Sequence, residues 1–206
     1  VSVRYTFDDE CRLGIHYQAL CDQDTVINLT NHSYFNLDGE DSGSVEGQHL
    51  QIFADSFAEN DAGCLPTGRI VSLDSEEGAP FDFREPTEIG KRLHEENIHL
   101  KNGSGYDHNY LLKKQPDGLC ARAYSRSSGI LLECRTSEPG MQLYTGNFLS
   151  TSNIVGKGGK SYADRAGFCL ETQHYPNAME HPEFPSVVLP AGELYDTTTE
   201  YHISLL

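Results

Sequence analysis

The sequence has no tryptophan, only two methionines, and fewer than half as many basic as acidic residues. With 15 Lys and Arg against 31 Asp and Glu, its formal net charge is −16. Polyphosphate surfaces repel such a chain, so we expect neither nucleic acid nor an anionic membrane as a partner. A neutral, hydroxyl-rich or cationic ligand is compatible with this charge.

Signals for membrane insertion, export and nucleotide binding are also missing. No run approaches the roughly 20 apolar residues of a spanning helix, and the first ten residues lack the basic and apolar regions of a signal peptide. No glycine-rich phosphate-binding motif is present. We therefore expect a cytoplasmic protein with a single domain covering residues 1–206.

The six cysteines are scattered, without a C-x-x-C pair that would indicate a local zinc or redox motif. Cys134 and Cys169 lie inside apolar runs, and a chain of 206 residues can build a core without disulfides. We predict free, buried thiols.

Short runs of alternating apolar and polar residues dominate the sequence and are separated by turns rich in Gly, Asp, Asn and Pro. The predicted strands cover residues 1–7, 13–20, 25–31, 49–53, 69–73, 121–125, 130–136, 141–146, 167–172, 185–190 and 199–206. Helical spacing occurs only in residues 86–97, where Ile89 and Leu93 are four apart. This pattern predicts an all-β protein, an antiparallel sandwich or barrel with at most one or two short helices.

His32 and Tyr34 belong to a polar and aromatic cluster, Asn31–Asn36, at the end of a predicted strand. A histidine between amides and aromatic rings has partners that fix its tautomer, as a proton donor near neutral pH requires. The alternative is a structural histidine that caps a turn.

Two further clusters contain candidate polar groups. Asp107 lies in a predicted loop, Gly105–Asn109, whose side chains can bind sugar hydroxyls, a metal ion or only their own backbone. Glu171 emerges from a predicted buried strand, where desolvation raises the pKa of a carboxyl group and suits it to acid or base catalysis. A salt-bridge role for Glu171 is the alternative.

The nine histidines show no compact metal-binding set. His94 and His99 are five residues apart, whereas the metalloprotease helix needs four. A metal-dependent, cupin-like barrel is therefore disfavoured, and we expect neither a metal nor a cofactor.

Four motifs in order resemble the galactose mutarotase, or aldose 1-epimerase, family; they cover residues 28–39, 105–112, 139–149 and 167–203. The resemblance implies a large antiparallel β-sandwich that interconverts the α and β anomers of aldohexoses such as galactose and glucose without a cofactor. It also implies that His32 is the general acid at the ring oxygen and Glu171 the general base at the C1 hydroxyl. The substrate-binding residues that it implies are Asn31, Tyr34, Asp107 and Gln142.

The N-terminal portion of this family has no counterpart in the sequence. Members carry several further strands, with an arginine and a second histidine near the C1 and ring oxygens, whereas Val1 matches a middle strand. We therefore expect residues 1–206 to form the C-terminal two-thirds of the family domain. Unpaired sheet edges would favour self-association or a complementing N-terminal chain. The alternative function is a catalytically impaired β-sandwich that binds a sugar or a protein partner.

Overall fold

The computed structural model describes residues 1–152 and 155–206, which form two large antiparallel sheets and one two-stranded sheet. In chain order the strands are β1 Ser2–Phe7, β2 Arg12–Leu20, β3 Thr25–Val26, β4 Tyr34–Phe35, β5 His49–Ile52, β6 Ala54–Asn60, β7 Pro66–Ser72, β8 Thr87–Glu88, β9 Asp107–Leu112, β10 Leu119–Tyr124, β11 Ile130–Thr136, β12 Gly140–Tyr144, β13 Phe168–Gln173, β14 Val188–Leu189 and β15 Leu194–Leu205. Short 3₁₀ turns cover Ala79–Phe81, Ile89–Lys91, Leu149–Ser152 and Ala178–Glu180.

The two large sheets pack face to face. The first has the order β1-β2-β15-β11-β10-β5-β8, and the second β4-β13-β12-β9-β6-β7. Buried apolar side chains from both sheets form one cluster between them, with Ile15 and Leu132 from the first sheet and Leu143 and Leu170 from the second. The predicted antiparallel β-sandwich is therefore confirmed.

The helix predicted at residues 86–97 is wrong. That segment forms β8, a 3₁₀ turn and bends, and the six-residue helix α1 covers Ile98–Gly103 instead. The side chain of Asn97 caps α1 by accepting hydrogen bonds from the backbone N–H groups of His99 and Leu100. Ile89 and Leu93 are both buried, so the apolar pattern correctly indicated buried positions. It did not indicate a helix, and Gly90 between them disfavours one.

The predicted loop at Gly105–Asn109 is also corrected, because Asp107 begins β9 in the second sheet. His108 and Tyr110 of this strand point into the core, where both are completely buried. Neighbouring side chains in a strand point to opposite faces, so Asp107 and Asn109 lie on the outer face of the sheet.

On strand β1, the side chains that face the same way as the core residues of the first sheet are not covered by the second sheet. Tyr5 lies opposite Ile15 and Val3 opposite Tyr17, and such direct partners share a sheet face. Ile15 and Tyr17 are buried, whereas Val3, Tyr5 and Phe7 are 43%, 63% and 69% exposed. The second sheet ends at the two-residue strand β4 and leaves these three side chains, which we call the β1 apolar face, without cover.

The cysteines are free as predicted, but their predicted burial is right for only three: Cys120, Cys134 and Cys169 are buried, Cys21 is partly exposed, and Cys11 and Cys64 are exposed. All six cysteines lie in the described part of the chain and are free. Within that same part, no helix has the length and apolar character needed to cross a bilayer.

Candidate active site

The register of three neighbouring strands aligns polar side chains on the outer face of the second sheet. Glu171 of β13 lies opposite Gln142 of β12, which lies opposite Asn109 of β9. Leu143 and Leu170, one residue away on their strands, point into the core. The polar row and the apolar core are therefore the two faces of the same strands.

A second row of side chains runs beside the first on this face. Its members are Tyr34 of β4, Cys169 of β13, Tyr144 of β12 and Asp107 of β9, each opposite the next. The face thus combines carboxylate, amide, thiol and aromatic groups within two adjacent rows.

His32 meets Glu171 at the edge of this face. The Nδ1 atom of His32 lies 3.0 Å from Oε1 of Glu171 and 3.3 Å from Sγ of Cys169. The imidazole is 56% exposed, whereas the Glu171 side chain is only 11% exposed. An exposed imidazole therefore covers a buried carboxyl group.

The environment of Glu171 raises its pKa to about 7. Burial is the largest cause, and the negative charge of Asp107 adds to it, while a hydrogen bond from the Cys169 thiol acts in the opposite direction. Oε1 of Glu171 is buried, and its contact with His32 Nδ1 is an ion-pair contact at 3.0 Å. A carboxylate of this kind is suited to accept a proton near neutral pH.

Asp107 and Gln142 form a hydrogen-bonded pair on the same face. Nε2 of Gln142 donates to Oδ1 of Asp107 over 2.6 Å. Burial raises the pKa of Asp107, whereas the Gln142 hydrogen bond and the nearby His32 act to lower it. The pair therefore offers amide and carboxylate groups that can exchange hydrogen bonds with ligand hydroxyls.

The turn that leads into β9 positions Asp107. Gly105 has a φ of +132°, a conformation that a residue with a Cβ rarely adopts, and its position allows the sharp turn from α1. The side chain of Asn147 donates to the carbonyl of Tyr106, and that of Asn60 donates to the carbonyl of Asp107. Two amides from other strands or loops therefore hold the backbone around this carboxyl group.

Two tyrosines surround the His32 ring. Tyr34 stacks on it with ring centroids 4.9 Å apart, and Tyr144 meets it edge-on at 5.8 Å. The side chain of Asn31 points elsewhere: it is buried and accepts a hydrogen bond from the hydroxyl of Tyr201. Asn31 therefore anchors the segment that precedes His32 to the core.

The structure brings five of the six sequence-predicted site residues onto one face: His32, Tyr34, Asp107, Gln142 and Glu171. Sequence reasoning missed Cys169 and Tyr144, which lie two residues from Glu171 and Gln142 on the same strands. The alternation of side chains along a strand could have identified both, because positions i and i+2 of a strand share a face. Cys169 was instead interpreted as a core thiol of an apolar run.

The chain is similar to named epimerases along its whole length. It is 44% identical over 206 residues to the galactose mutarotase of Bos taurus and 37% identical over 204 residues to the aldose 1-epimerase of Escherichia coli K12. It covers 57% of the length of each of these proteins. The chain therefore spans a little more than half of these curated relatives.

Solved structures agree with these similarities. A GalM/aldose epimerase homologue from C. elegans superposes with a TM-score of 0.86 at 32% identity, over 99% of this chain and 59% of that one. A galactose 1-epimerase from Lactobacillus acidophilus superposes with a TM-score of 0.82 at 26% identity, over 98% and 56%. The family model for aldose 1-epimerase matches residues 1–202, and the chain therefore belongs to the aldose 1-epimerase family.

Proposed function

We propose that this chain carries the proton-transfer groups of an aldose 1-epimerase, which interconverts the α and β anomers of an aldohexose such as galactose or glucose. His32 is the general acid and Glu171 the general base, while Asp107, Gln142 and Tyr34 bind the sugar. Asn31, which was also expected to bind the sugar, instead anchors the segment before His32 through its hydrogen bond with Tyr201. The observation that carries the proposal is the contact between His32 Nδ1 and Glu171 Oε1, 3.0 Å apart on an open polar face.

Mutarotation requires one proton to reach the ring oxygen while another leaves the C1 hydroxyl. Glu171 takes the C1 hydroxyl proton, and His32 donates to the ring oxygen as the C1–O5 bond breaks. Rotation about C1–C2 then presents the other face of the aldehyde, and the two transfers run in reverse. A donor and an acceptor near neutral pH suffice, and each such group contributes about 10²–10⁴-fold.

The polar face suits a neutral sugar better than a charged metabolite. Asp107 and Gln142 provide hydrogen-bond donors and acceptors, and Tyr34 and Tyr144 provide flat apolar surfaces for a sugar ring. Glu171 and Asp107 would repel an anionic substrate. The assignment to galactose and glucose rests on the names of the relatives.

Polarimetry tests this proposal directly. Freshly dissolved α-glucose or α-galactose is followed with the purified chain, and the spontaneous rate is subtracted. Acceleration that Glu171→Gln abolishes supports the assignment. A folded chain that gives no acceleration with either sugar contradicts it and favours the alternative, a β-sandwich that binds a sugar or a protein without turnover.

The β1 apolar face favours a protein contact in addition to the sugar. Val3, Tyr5 and Phe7 lie on β1, the edge strand of the first sheet, and the second sheet ends at the short strand β4, where further strands could be added. We propose that a complementing β-strand segment occupies this face and that, without it, the chain self-associates there. The greater length of the relatives supports this interpretation.

Domain organisation and compartment complete the proposal. Residues 1–206 act as one domain, and the single apolar cluster shared by both sheets supports this assignment. A reducing, cytoplasmic compartment is supported by the six free cysteines, since such thiols persist where disulfides do not form.

A further inference from the structure

His32, Cys169 and Glu171 form a compact set of nitrogen, sulfur and oxygen donors. One possible ligand atom from each residue lies within 4.8 Å of the others. We infer that this set binds a thiophilic divalent cation such as Zn²⁺, and that the bound ion inhibits the proposed epimerase by occupying its acid and its base.

The distances are close to those of a tetrahedral zinc site. Bond lengths of about 2.0–2.3 Å to nitrogen, oxygen and sulfur place neighbouring ligand atoms about 3.3–3.6 Å apart. His32 Nδ1 lies 3.3 Å from Cys169 Sγ and 3.0 Å from Glu171 Oε1. The third separation, between Cys169 Sγ and Glu171 Oε1, is at most 4.8 Å.

Oε1 of Glu171 faces the other two donors. The residue is 9% exposed, and this oxygen is buried without an aligned hydrogen-bond partner in the part of the chain described here. Its polar contact is His32 Nδ1 at 3.0 Å, and a metal ion bound by both atoms would replace that contact. The Oε1 atom faces His32 Nδ1, so it points into the proposed site.

The donor set selects the class of cation. A thiolate ligand favours Zn²⁺ and other soft or borderline ions over Mg²⁺ and Ca²⁺, which prefer oxygen. Three protein ligands leave a fourth position for water. The Cys169 thiol releases its proton to solvent when the metal–sulfur bond forms. Access is from the His32 side, because the imidazole is exposed and Cys169 is buried beneath it.

Only the inhibitory part of this inference rests on the proposed function. Metal binding itself is measured by an experiment that does not depend on enzyme activity. Co²⁺ serves as a spectroscopic probe because it binds in zinc sites and gives a thiolate-to-cobalt charge-transfer band in the near ultraviolet. The wild-type chain is titrated with Co²⁺, and Zn²⁺ is then added to displace it. The expected result is one equivalent of Co²⁺ with the thiolate band, displaced by one equivalent of Zn²⁺.

Matched cysteine variants locate the site. Cys169→Ser is expected to lose the charge-transfer band and to weaken zinc binding at least tenfold, whereas Cys64→Ser, at an exposed thiol, keeps both. His32→Gln, at an exposed side chain, provides a second variant if Cys169→Ser does not fold, and it too is expected to weaken binding at least tenfold. A cobalt complex without a thiolate band, or equal zinc affinity in the wild type and both site variants, would overturn the inference.

Polarimetry then tests the inhibitory consequence. Zn²⁺ is expected to abolish the accelerated mutarotation and excess chelator to restore it. If the chain binds Co²⁺ through Cys169 but does not accelerate mutarotation, the metal site stands and the proposed function fails. If the chain is active and no thiolate-bound cobalt forms, the function stands and the metal site is rejected.

Discussion

Glu171 and Gln142 are direct cross-strand partners, and Gln142 in turn donates a hydrogen bond to Asp107. One amide therefore links the neighbourhood of the proposed base to a second carboxyl group. The negative charge of Asp107 also contributes to the raised pKa of Glu171, so the proposed base is electrostatically coupled to a group that we propose binds the sugar.

Replacement of Glu171 by Gln removes the proposed base with little change in shape. We expect kcat for mutarotation to fall by at least about 10²-fold, since general base catalysis typically contributes that much. Polarimetry with α-galactose measures the effect, and Glu193→Gln, at an exposed carboxyl group, is the matched control. A Glu171→Gln rate within threefold of wild type would refute the assignment.

Replacement of His32 by Gln removes the proposed acid from an exposed position. A loss of at least about 10²-fold in kcat is expected, with the thermal unfolding midpoint nearly unchanged because the imidazole is 56% exposed. His94→Gln, at an imidazole that is 69% exposed and far along the chain, is the control. Equal rates in the two variants would exclude His32 from proton transfer.

The rate should depend on pH through Glu171. Because its pKa is raised to about 7, kcat/KM is expected to increase as the pH rises through that value and the carboxylate forms. Asp107→Asn removes the negative charge that contributes to this shift, so the midpoint of the rise should move to lower pH. The same substitution should increase KM, since Asp107 is proposed to bind hydroxyls. An unshifted midpoint in Asp107→Asn would show that burial alone sets the pKa of Glu171.

Stability should fall in acid because of the buried His108. Burial lowers its pKa to about 3, whereas the unfolded chain takes up this proton near pH 6.5. The unfolded state therefore binds more protons between these values, and the free energy of unfolding decreases as the pH falls from 6.5, by up to about 1.4 kcal/mol per pH unit. Urea denaturation at pH 7.5, 5.5 and 4.5 measures the slope.

The variant His108→Gln cannot titrate, so its slope over this range should be shallower than that of wild type. His94→Gln controls for the loss of an exposed imidazole. Parallel slopes in wild type and His108→Gln would show that His108 does not account for the acid sensitivity.

The β1 apolar face should drive association. Replacing both Tyr5 and Phe7 by Lys places charge on this face, and the variant should be monomeric at concentrations where the wild type forms larger species. Light scattering after size-exclusion chromatography measures the mass. Ser2→Lys, on the opposite face of the same strand, is the control, and an equal loss of association there would indicate pairing through the strand edge instead.

Much of the fold followed from local alternation of apolar and polar residues, because a strand with one buried face repeats every two residues. The pattern failed where tertiary contacts decided the outcome. Ile89 and Leu93 reach the core from a 3₁₀ turn and bends, and Asp107 looked like part of a loop because polar neighbours obscured the strand.

The sequence predicted the two residues that meet at the centre of the candidate site, but not all of the residues around them. His32 and Glu171 were assigned from motifs that resemble the family, and the structure then placed them in contact. Cys169 was missed because its apolar neighbours in the sequence indicated a core residue. In the structure it is buried and also contacts His32. Its place two residues from Glu171 on β13, and its pairing with Tyr34 of β4, put it on the polar face.

The register between β12 and β13 decides both whether the strands bury their apolar side chains and whether Glu171 reaches the candidate site. A shift of either strand by one position would turn its outward side chains inward, exchanging Glu171 for Leu170 at the surface. Such a molecule would lose its base and bury an unpaired carboxyl group at the same time. Partly active misfolded forms are therefore not expected, and a preparation with low specific activity should be a mixture of fully competent and inactive molecules.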